Sequence, residues 1–488
     1  KVSGLEGLDP RVRVIVQQWL DETENPDDYS KLPIEIVEPY AHYDVIYTLE
    51  IFLQTKEVAL ARGQKNTIEL EEKLIMPLYR MERVGFRLDV DYTLSVKERV
   101  RTYILESRKI LERLAGRPVK TGQHKVMKQI FAERFNLHLA STGQDVLAGL
   151  EVDDPKAQEF IDILTELRTL EKWYSTYIIR FLEDLSDGRV YTSIKQTGAA
   201  SGRVSSDFQQ FPKKPILDRD GNELFHPRKM IIPTGGKYKK MFFIDYSQIE
   251  LRIQAIYTLM VNHGDVNLCR AYMPYKCYTI RKGENILFDN KNLKHIKNFR
   301  NFKWYLLEEP ETEWHPTDLH ALTALSAFPN LKSTDEDFSS YRSIGKRVNF
   351  ACNYGASAYK LHTAMKFDMP TANALYKAYT SNFPGIIQYR KMVQRLINRD
   401  GYMENLYGRR YYGISGHLAG NYAVQGSAAD FLKQKIIEVD AFLKDYKTRF
   451  QMNIHDELSF EYHEDDPEEL LFMIQAIMED LPGTIVPI

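Results

Sequence analysis

The apolar positions of this chain fall into two periods. Ile68, Leu70, Leu74, Ile75, Leu78, Met81 and Val84 recur near helical spacing. They predict one amphipathic helix over 66–84, closed by Gly85 at its C′ position. Two long helices are expected next, over about 90–115 and 155–185. The second carries Phe160, Ile163, Leu164, Leu167, Leu170, Trp173, Tyr174, Tyr177 and Phe181 at i, i+3 or i+4, the seam of an antiparallel pair. Between them, 116–150 is a compact excursion with Lys120, His124, Lys125 and Lys128, either a solvated cap or a tip touching a polyanion. Residues 1–60 read as short helices and turns. The period shortens over 189–260, which reads as β-rich, with turns around Gly221 and Gly235-Gly236. Residues 318–450 are mainly helical, and strands return around His455. Strands at both ends of a helical block predict one sheet built from distant segments.

Two apolar runs on those strands end in carboxylates. One is Phe242-Phe243-Ile244-Asp245; the other is Met452-Asn453-Ile454-His455-Asp456-Glu457. Each reads as a buried strand, where a lone carboxylate is costly. Brought together, Asp245 and Asp456 would repel, and one would take up a proton unless a cation lay between them. A divalent metal pair keeps both ionised, and such a pair is the template for in-line phosphoryl transfer.

Composition narrows the setting. With 488 residues, 43% of them hydrophobic and 12% aromatic, the chain has material for several packed domains. The net charge of −2 leaves no global footprint for nucleic acid, so a polyanion must be met by local basic patches. Cys269, Cys277 and Cys352 lack metal-ligand spacing and read as ordinary thiols in a reducing compartment. No apolar run approaches the roughly 20 residues of a membrane span, and no stretch reads as a signal peptide. The first residue is Lys1 rather than Met, which reads as a fragment or a processed product.

Four further constellations carry candidate chemistry. Arg342, Lys346, Phe350 and Tyr354 recur every fourth residue and share one helix face, two cations followed by two aromatics. Such a face suits a nucleoside triphosphate: cations for phosphates, rings for sugar and base. An amphipathic helix with a wet basic end has the same pattern. Asp318 would cap a helix and place His320 in its first turn, able to donate to a phosphate. The run Thr197 to Ser206, small residues around Arg203, permits close approach to a nucleic-acid backbone or is a plain Gly/Ser loop. Asn421 and Gln425 put two amides on one helix face, able to read minor-groove acceptors or simply to meet water.

Together and in this order, these blocks resemble the motifs of family A DNA polymerases, the DNA polymerase I type, over about 65–488. Asp245 to Arg252 and His455-Asp456-Glu457 are similar to the two palm motifs, and Arg342 to Gly355 to the fingers helix. Gly401 to Arg410, Gln425-Gly426, Ser175-Thr176-Tyr177 and Thr197 to Ser206 match as well. The resemblance implies an α+β right-hand polymerase: an antiparallel-sheet palm with helical fingers and thumb. The expected division is an exonuclease remnant at 1–62, a thumb with helical hairpin and tip at 63–188, palm at 189–260, an insertion at 261–317, fingers at 318–410 and palm again at 411–488.

It also implies roles. Asp245, Asp456 and the Tyr246 carbonyl would hold two Mg²⁺, with Mn²⁺ able to substitute. Arg342, Lys346 and His320 would bind the triphosphate, Lys346 also protonating the leaving pyrophosphate. Phe350 would stack on the sugar, Glu250 would exclude a 2′-hydroxyl, Gln248 would line the dNTP site, and Tyr354 would pack at the nascent pair. Primer–template DNA would meet Arg203, Asn421, Gln425 and His455 in its minor groove, Glu457 near the primer terminus, and Ser175 and Thr176 in the thumb. Tyr40 and Asp44 resemble the last motif of a 3′→5′ exonuclease whose earlier acidic motifs are absent. The long stretch over 261–317, basic and aromatic from Lys294 to Tyr305, fits phage-type replicative enzymes and a DNA or replisome processivity partner, or is a structural insertion. The implied setting is bacterial or infected-host cytoplasm, or an organelle, with no membrane partner. Ser343, Asn453 and His417 depart from the usual pattern and bear on fine positioning. Two other readings compete: a single-subunit RNA polymerase, opposed by Glu250 and the His455-Asp456-Glu457 triplet, and a non-catalytic DNA-binding scaffold.

Overall fold

The computed structural model describes residues 10–22, 34–150, 152–212, 214–261, 265–272, 277–281, 284–287, 303–306 and 318–480. The chain divides into two units, 1–68 and 69–488. The first holds α1 (Pro10–Glu22) and α2 (Ile34–Ala61). Here the expectation of short helices is corrected, because α2 runs unbroken for 28 residues. Its second half is rich in Leu, Glu, Gln, Lys and Ala, which propagate a helix until Gly63 (φ 71) ends it. Tyr40 and Asp44 lie one turn apart on α2, and Asp44 is exposed.

The second unit begins in α3 (Lys65–Val84), which buries Leu74, Leu78 and Met81. Gly85 (φ 57) closes it by donating to the Met81 carbonyl at 3.1 Å, as the C′ position requires. After β1 (Phe86–Leu88) come α4 (Val90–Ala115), α5 (His124–Phe135), α6 (Gln144–Ala148) and α7 (Pro155–Trp173). Asp89 caps α4 and Asp154 caps α7. The two long helices pack along Val96, Val100, Ile104 and Leu111 against Phe160, Leu164 and Leu167. The expected helix over 155–185 is not continuous. A π turn at Tyr174–Ile179 separates α7 from α8 (Arg180–Glu183). The wider turn re-phases the helix so that Tyr177 and Phe181 both reach an aromatic cluster with Phe208 and Phe211.

Short strands follow: β2 (Arg189–Val190), β3 (Ile216–Leu217), β4 (Glu223–Phe225) and β5 (Ile231–Ile232). Then β6 (Lys240–Asp245) leads into α9 (Ile249–Leu259) and α10 (Val266–Arg270). Within the expected insertion, β7 (Cys277–Arg281), β8 (Glu284–Leu287) and β9 (Lys303–Leu306) pair antiparallel in the order β8-β7-β9. Most of the basic-aromatic run from Lys294 lies outside the described residues. Helices dominate next: α11 (Leu319–Ala327), α12 (Phe338–Asn353), α13 (Ala358–Met365), α14 (Met369–Asn382) and α15 (Pro384–Asp400). The hairpin β10 (Tyr402–Glu404) and β11 (Arg410–Tyr412) precedes α16 (Gly416–Phe442). The described chain ends with β12 (Arg449–Ile454), β13 (Glu457–Tyr462) and α17 (Leu470–Glu479).

The sheet predicted from distant segments is present: β12-β13-β6, all antiparallel. Its register runs from Tyr462 opposite Lys240 to Glu457 opposite Asp245. β12 and β13 are almost wholly buried, while β6 is an edge strand with alternating exposure. α16 is buried on most of its faces, with Ala423, Val424, Phe431 and Ile436 inside and the polar Asp430 and Lys433 buried beside them. No helix among the described residues is long and apolar enough to cross a membrane.

Candidate active site

The sheet register does the first positioning. It sets Asp245, last residue of β6, opposite Glu457, first residue of β13. Asp456 precedes Glu457 in the two-residue turn from β12, and its carbonyl accepts from Tyr246 N–H at 3.2 Å. The two aspartates therefore stand at one end of one sheet. The expectation of two buried carboxylates is corrected, because Asp245 is exposed and Asp456 half-buried. An edge strand leaves its end in solvent, so the desolvation cost is smaller than a central strand would impose.

Both reversals beside the aspartates use left-handed backbone at non-glycine residues. His455 has φ 57 in the β12–β13 turn, and Gln248 has φ 57 just before α9. Such conformations persist where surrounding contacts over-determine them. Gln209 supplies those contacts at His455: it accepts from the His455 N–H and donates to the Asn453 carbonyl at 3.0 Å. Asn453 Nδ2 in turn donates to the His455 carbonyl at 2.8 Å. At the other reversal, the Gln248 Oε1 accepts from the Tyr272 hydroxyl at 2.9 Å. Glu457 is buried and pairs with Arg228 at 2.8 Å. Neither Gln209 nor Arg228 emerged from sequence reasoning, since each sits in a 3₁₀ turn with no periodicity to expose it.

Beside this turn lies a cluster centred on Glu250, in the first turn of α9. Glu250 pairs with Arg203 and accepts from the Tyr354 hydroxyl. Tyr354 also bonds Gln425, its carbonyl accepts from Asn421 Nδ2 at 3.4 Å, and its ring hydroxyl feels Asp456. Burial chiefly raises the Tyr354 pKa, opposed by Arg203. Five separate sequence blocks thus meet at one place. The approach of the Arg203 loop to α16 rests on Gly426, where a Cβ would sit 2.7 Å from the Ser201 carbonyl oxygen. A cavity of about 200 Å³ opens below, lined by Arg203, Gln209, Lys433, Asn453, His455 and Asp456. Lys433 is buried, and its pKa is lowered by burial against the opposing pull of Glu71. Glu71 also binds Arg409, which grips Asp430 at 2.7 Å, so α3, the β10–β11 hairpin and α16 are fastened together.

The helix α12 presents Arg342 and Lys346 to solvent, with Phe350 half-buried below them. It lies against the start of α11 at Gly345, where a Cβ would run into the His320 carbonyl oxygen. Asn349 Nδ2 donates to the Leu319 carbonyl at 2.9 Å and meets His320 Nδ1 at 3.3 Å, while its Oδ1 accepts from Thr323 at 2.7 Å. With the amide so fixed, His320 Nδ1 is the acceptor and Nε2 carries the proton. The His320 ring is buried 6.0 Å from the Phe350 ring, and burial lowers its pKa, so it is neutral at pH 7. Ser175 and Thr176 are not brought to this site; they lie on the π turn, where Ser175 donates to its own helix at Glu171.

The donor set suits a hard divalent cation. Among the described residues no group of three or more His, Cys, Asp or Glu side chains forms a metal cage. Asp245, Asp456 and the neighbouring Tyr246 main chain would supply only part of an octahedral oxygen shell. Such a shell is how Mg²⁺ is usually held, with substrate phosphates and water completing it.

An antiparallel sheet with two acidic strand ends, faced by a helix of cations and rings, defines a right-hand nucleic-acid polymerase fold. The profile of DNA polymerase family A matches residues 90–488, and the chain belongs to that family. It is 27% identical to DNA polymerase I of Chloroflexus aurantiacus over 94% of this chain and 46% of that protein. Against DNA polymerase I of Pseudomonas aeruginosa it is 27% identical over 94% of this chain and 47% of that protein. A solved structure, the POL domain of Pol1 from M. smegmatis in complex with DNA primer-template and dNTP, matches with TM-score 0.63 and 25% identity. That match covers 86% of this chain and 68% of the other. The chain spans about half the length of the curated relatives it matches.

Proposed function

We propose that this chain is a template-directed DNA polymerase that adds dNTPs to a primer 3′-hydroxyl with release of pyrophosphate. The observation that carries the reading is the placement of Asp245 and Asp456 side by side at the end of the β12-β13-β6 sheet. Asp245, Asp456 and the Tyr246 carbonyl would hold Mg²⁺, with Mn²⁺ able to substitute. A bound metal pair supplies Lewis acidity toward the attacking hydroxyl and the triphosphate.

The side chains divide the remaining work. Arg342 and Lys346, exposed on one face of α12, meet the triphosphate, and Lys346 would give a proton to pyrophosphate. Neutral His320 offers its Nε2–H. Phe350 lies against the sugar, and Glu250, held by Arg203 and Tyr354, packs where a 2′-hydroxyl would stand. Gln248 lines that pocket. Asn421, Gln425, Arg203 and His455 face the minor groove of primer–template DNA, with Glu457 supporting the turn from beneath. Ser175 and Thr176 would meet DNA along the thumb. The division into thumb, palm and fingers at 63–188, 189–260 with 411–488, and 318–410 belongs to this reading, as does a processivity contact through 261–317. Tyr40 and Asp44 would be the residue of an exonuclease domain.

The test is primer extension with Mg²⁺ on a primed template, with matched and mismatched 3′ ends. Extension by dNTPs from the matched end is expected, and the mismatched end reads proofreading in the same assay. Preference for ribonucleotides would replace this reading with an RNA polymerase. Duplex binding without extension would make the chain a scaffold.

A further inference from the structure

Among the described residues, Arg342 is hydrogen-bonded through one nitrogen only. Its Nε donates to Asp318 Oδ2 at 2.7 Å, and among the described residues its two terminal nitrogens make no hydrogen bond. Asp318 is itself anchored, because its Oδ1 accepts from His320 N–H and Ala321 N–H, both at 3.0 Å, capping α11. One carboxylate thus joins the start of α11 to the exposed face of α12. The joint is stiff, since Gly345 and Asn349 fasten the same two helices a turn and two turns further on. A guanidinium tethered at Nε has lost rotamer freedom and presents its terminal fork outward in a fixed plane. Burial raises the Asp318 pKa, but the backbone bonds and Arg342 outweigh it and keep the carboxyl ionised.

We infer that Asp318 is a positioning residue for the incoming nucleotide: it aims the Arg342 fork at the triphosphate while serving as the cap of α11. This inference rests on the polymerase reading above. It adds a specific division of labour: one oxygen of Asp318 builds the helix, and the other orders the phosphate ligand. The opposite role would also place an acid there, because a carboxylate can occupy a cation that the substrate needs. The free Nη pair favours aiming over blocking, since a blocking acid would engage the fork itself.

The test uses Asp318→Asn, which keeps an oxygen to cap α11 and loses the charge facing Nε. Steady-state incorporation on a primed template should show KM for dNTP raised about tenfold, kcat within about twofold, and an unchanged melting temperature. In an Arg342→Ala background the same substitution should change KM no further, because the group it orients is gone. Multiplicative effects in the double variant would overturn the inference, as would a KM lowered by Asp318→Asn, the mark of a blocking acid. A lowered kcat with unchanged KM would also overturn it. If the unaltered chain extends no primer, the polymerase reading fails and the positioning role fails with it. If it extends primers and the two variants act independently, only the positioning role fails.

Discussion

The β12–β13 turn, in the proposed palm, and the exposed face of α12, in the proposed fingers, are built by different means. At the turn, Asp245 and Asp456 are placed by backbone, through the ladder of β6 on β13 and the bond from Tyr246 N–H to the Asp456 carbonyl. On α12, Arg342 is placed by a side chain, Asp318, and both members of that pair are nearly half exposed. A strand register cannot shift by one residue without turning every side chain to the other face, so the palm is set once the core forms. An exposed ion pair contributes little to stability, so the α12 face takes its geometry from Asp318 while folding depends little on that pair. The contrast says that palm substitutions should act on turnover or on folding, and fingers substitutions on nucleotide affinity.

The largest expected effect is at the turn. Asp245→Ala and Asp456→Ala should each reduce primer extension by about a thousandfold or more, while duplex binding in a gel-shift titration changes by less than about threefold. Extension surviving either change would remove the palm turn from the chemistry and dissolve the comparison.

Next comes the buried network behind the turn. Arg409 and Lys433 both bind Glu71, and Arg409 binds the buried Asp430. Glu71→Ala leaves Arg409 with Asp430 alone and takes from the buried Lys433 its ion-pair partner, which should cost about 3 kcal/mol in denaturant unfolding. Arg342→Ala, by contrast, should cost less than about 0.5 kcal/mol while raising KM for dNTP. Equal stability losses at the two sites would erase the distinction drawn above.

Glu250 stands between the two regions, bonded to Arg203 from the palm side and Tyr354 at the end of α12. Glu250→Ala should raise the relative incorporation of ribonucleotides by about tenfold to a hundredfold, read as the ratio of kcat/KM values. Gly345→Ala should be milder. The added methyl must push α11 from α12 at the His320 carbonyl, which should cost about 1–2 kcal/mol and weaken dNTP binding together.

How much of this was legible in the sequence follows from the same contrast. The every-fourth-residue face of Arg342 to Tyr354 and the acidic strand ends are local patterns, and periodicity exposes them. The pairing of β6 with β13 was inferable because two apolar runs of strand length flanked a helical block. What escaped were contacts with no period. Gln209 and Arg228 reach the turn from 3₁₀ segments, and Glu71 reaches α16 from a helix more than three hundred residues earlier. Exposure was misread for Asp245 because an apolar run does not tell an edge strand from a central one. Asp318 was legible as a cap but not as a tether, since only the fold brings Arg342 to its second oxygen.

The smallest effect tests the fingers side through pH. Burial lowers the His320 pKa below its ordinary 6.5, against a raising influence from Asp318 and a lowering one from Arg342 and Lys346. The unfolded chain therefore takes up a proton near pH 6.5 that the folded ring refuses. Stability from this group is full above pH 6.5 and falls as pH drops below it, by at most about 1.4 kcal/mol per unit. Denaturant unfolding at pH 7.5 and 5.5 should show the unaltered chain losing more than His320→Gln, which cannot titrate. A nearby triphosphate would favour the charged ring and raise its pKa. Saturating dNTP on a dideoxy-terminated primer–template should therefore shrink the pH-dependent difference between the two proteins. A difference unchanged by nucleotide would place the triphosphate away from α11, leaving Arg342 and Lys346 to bind it without the histidine.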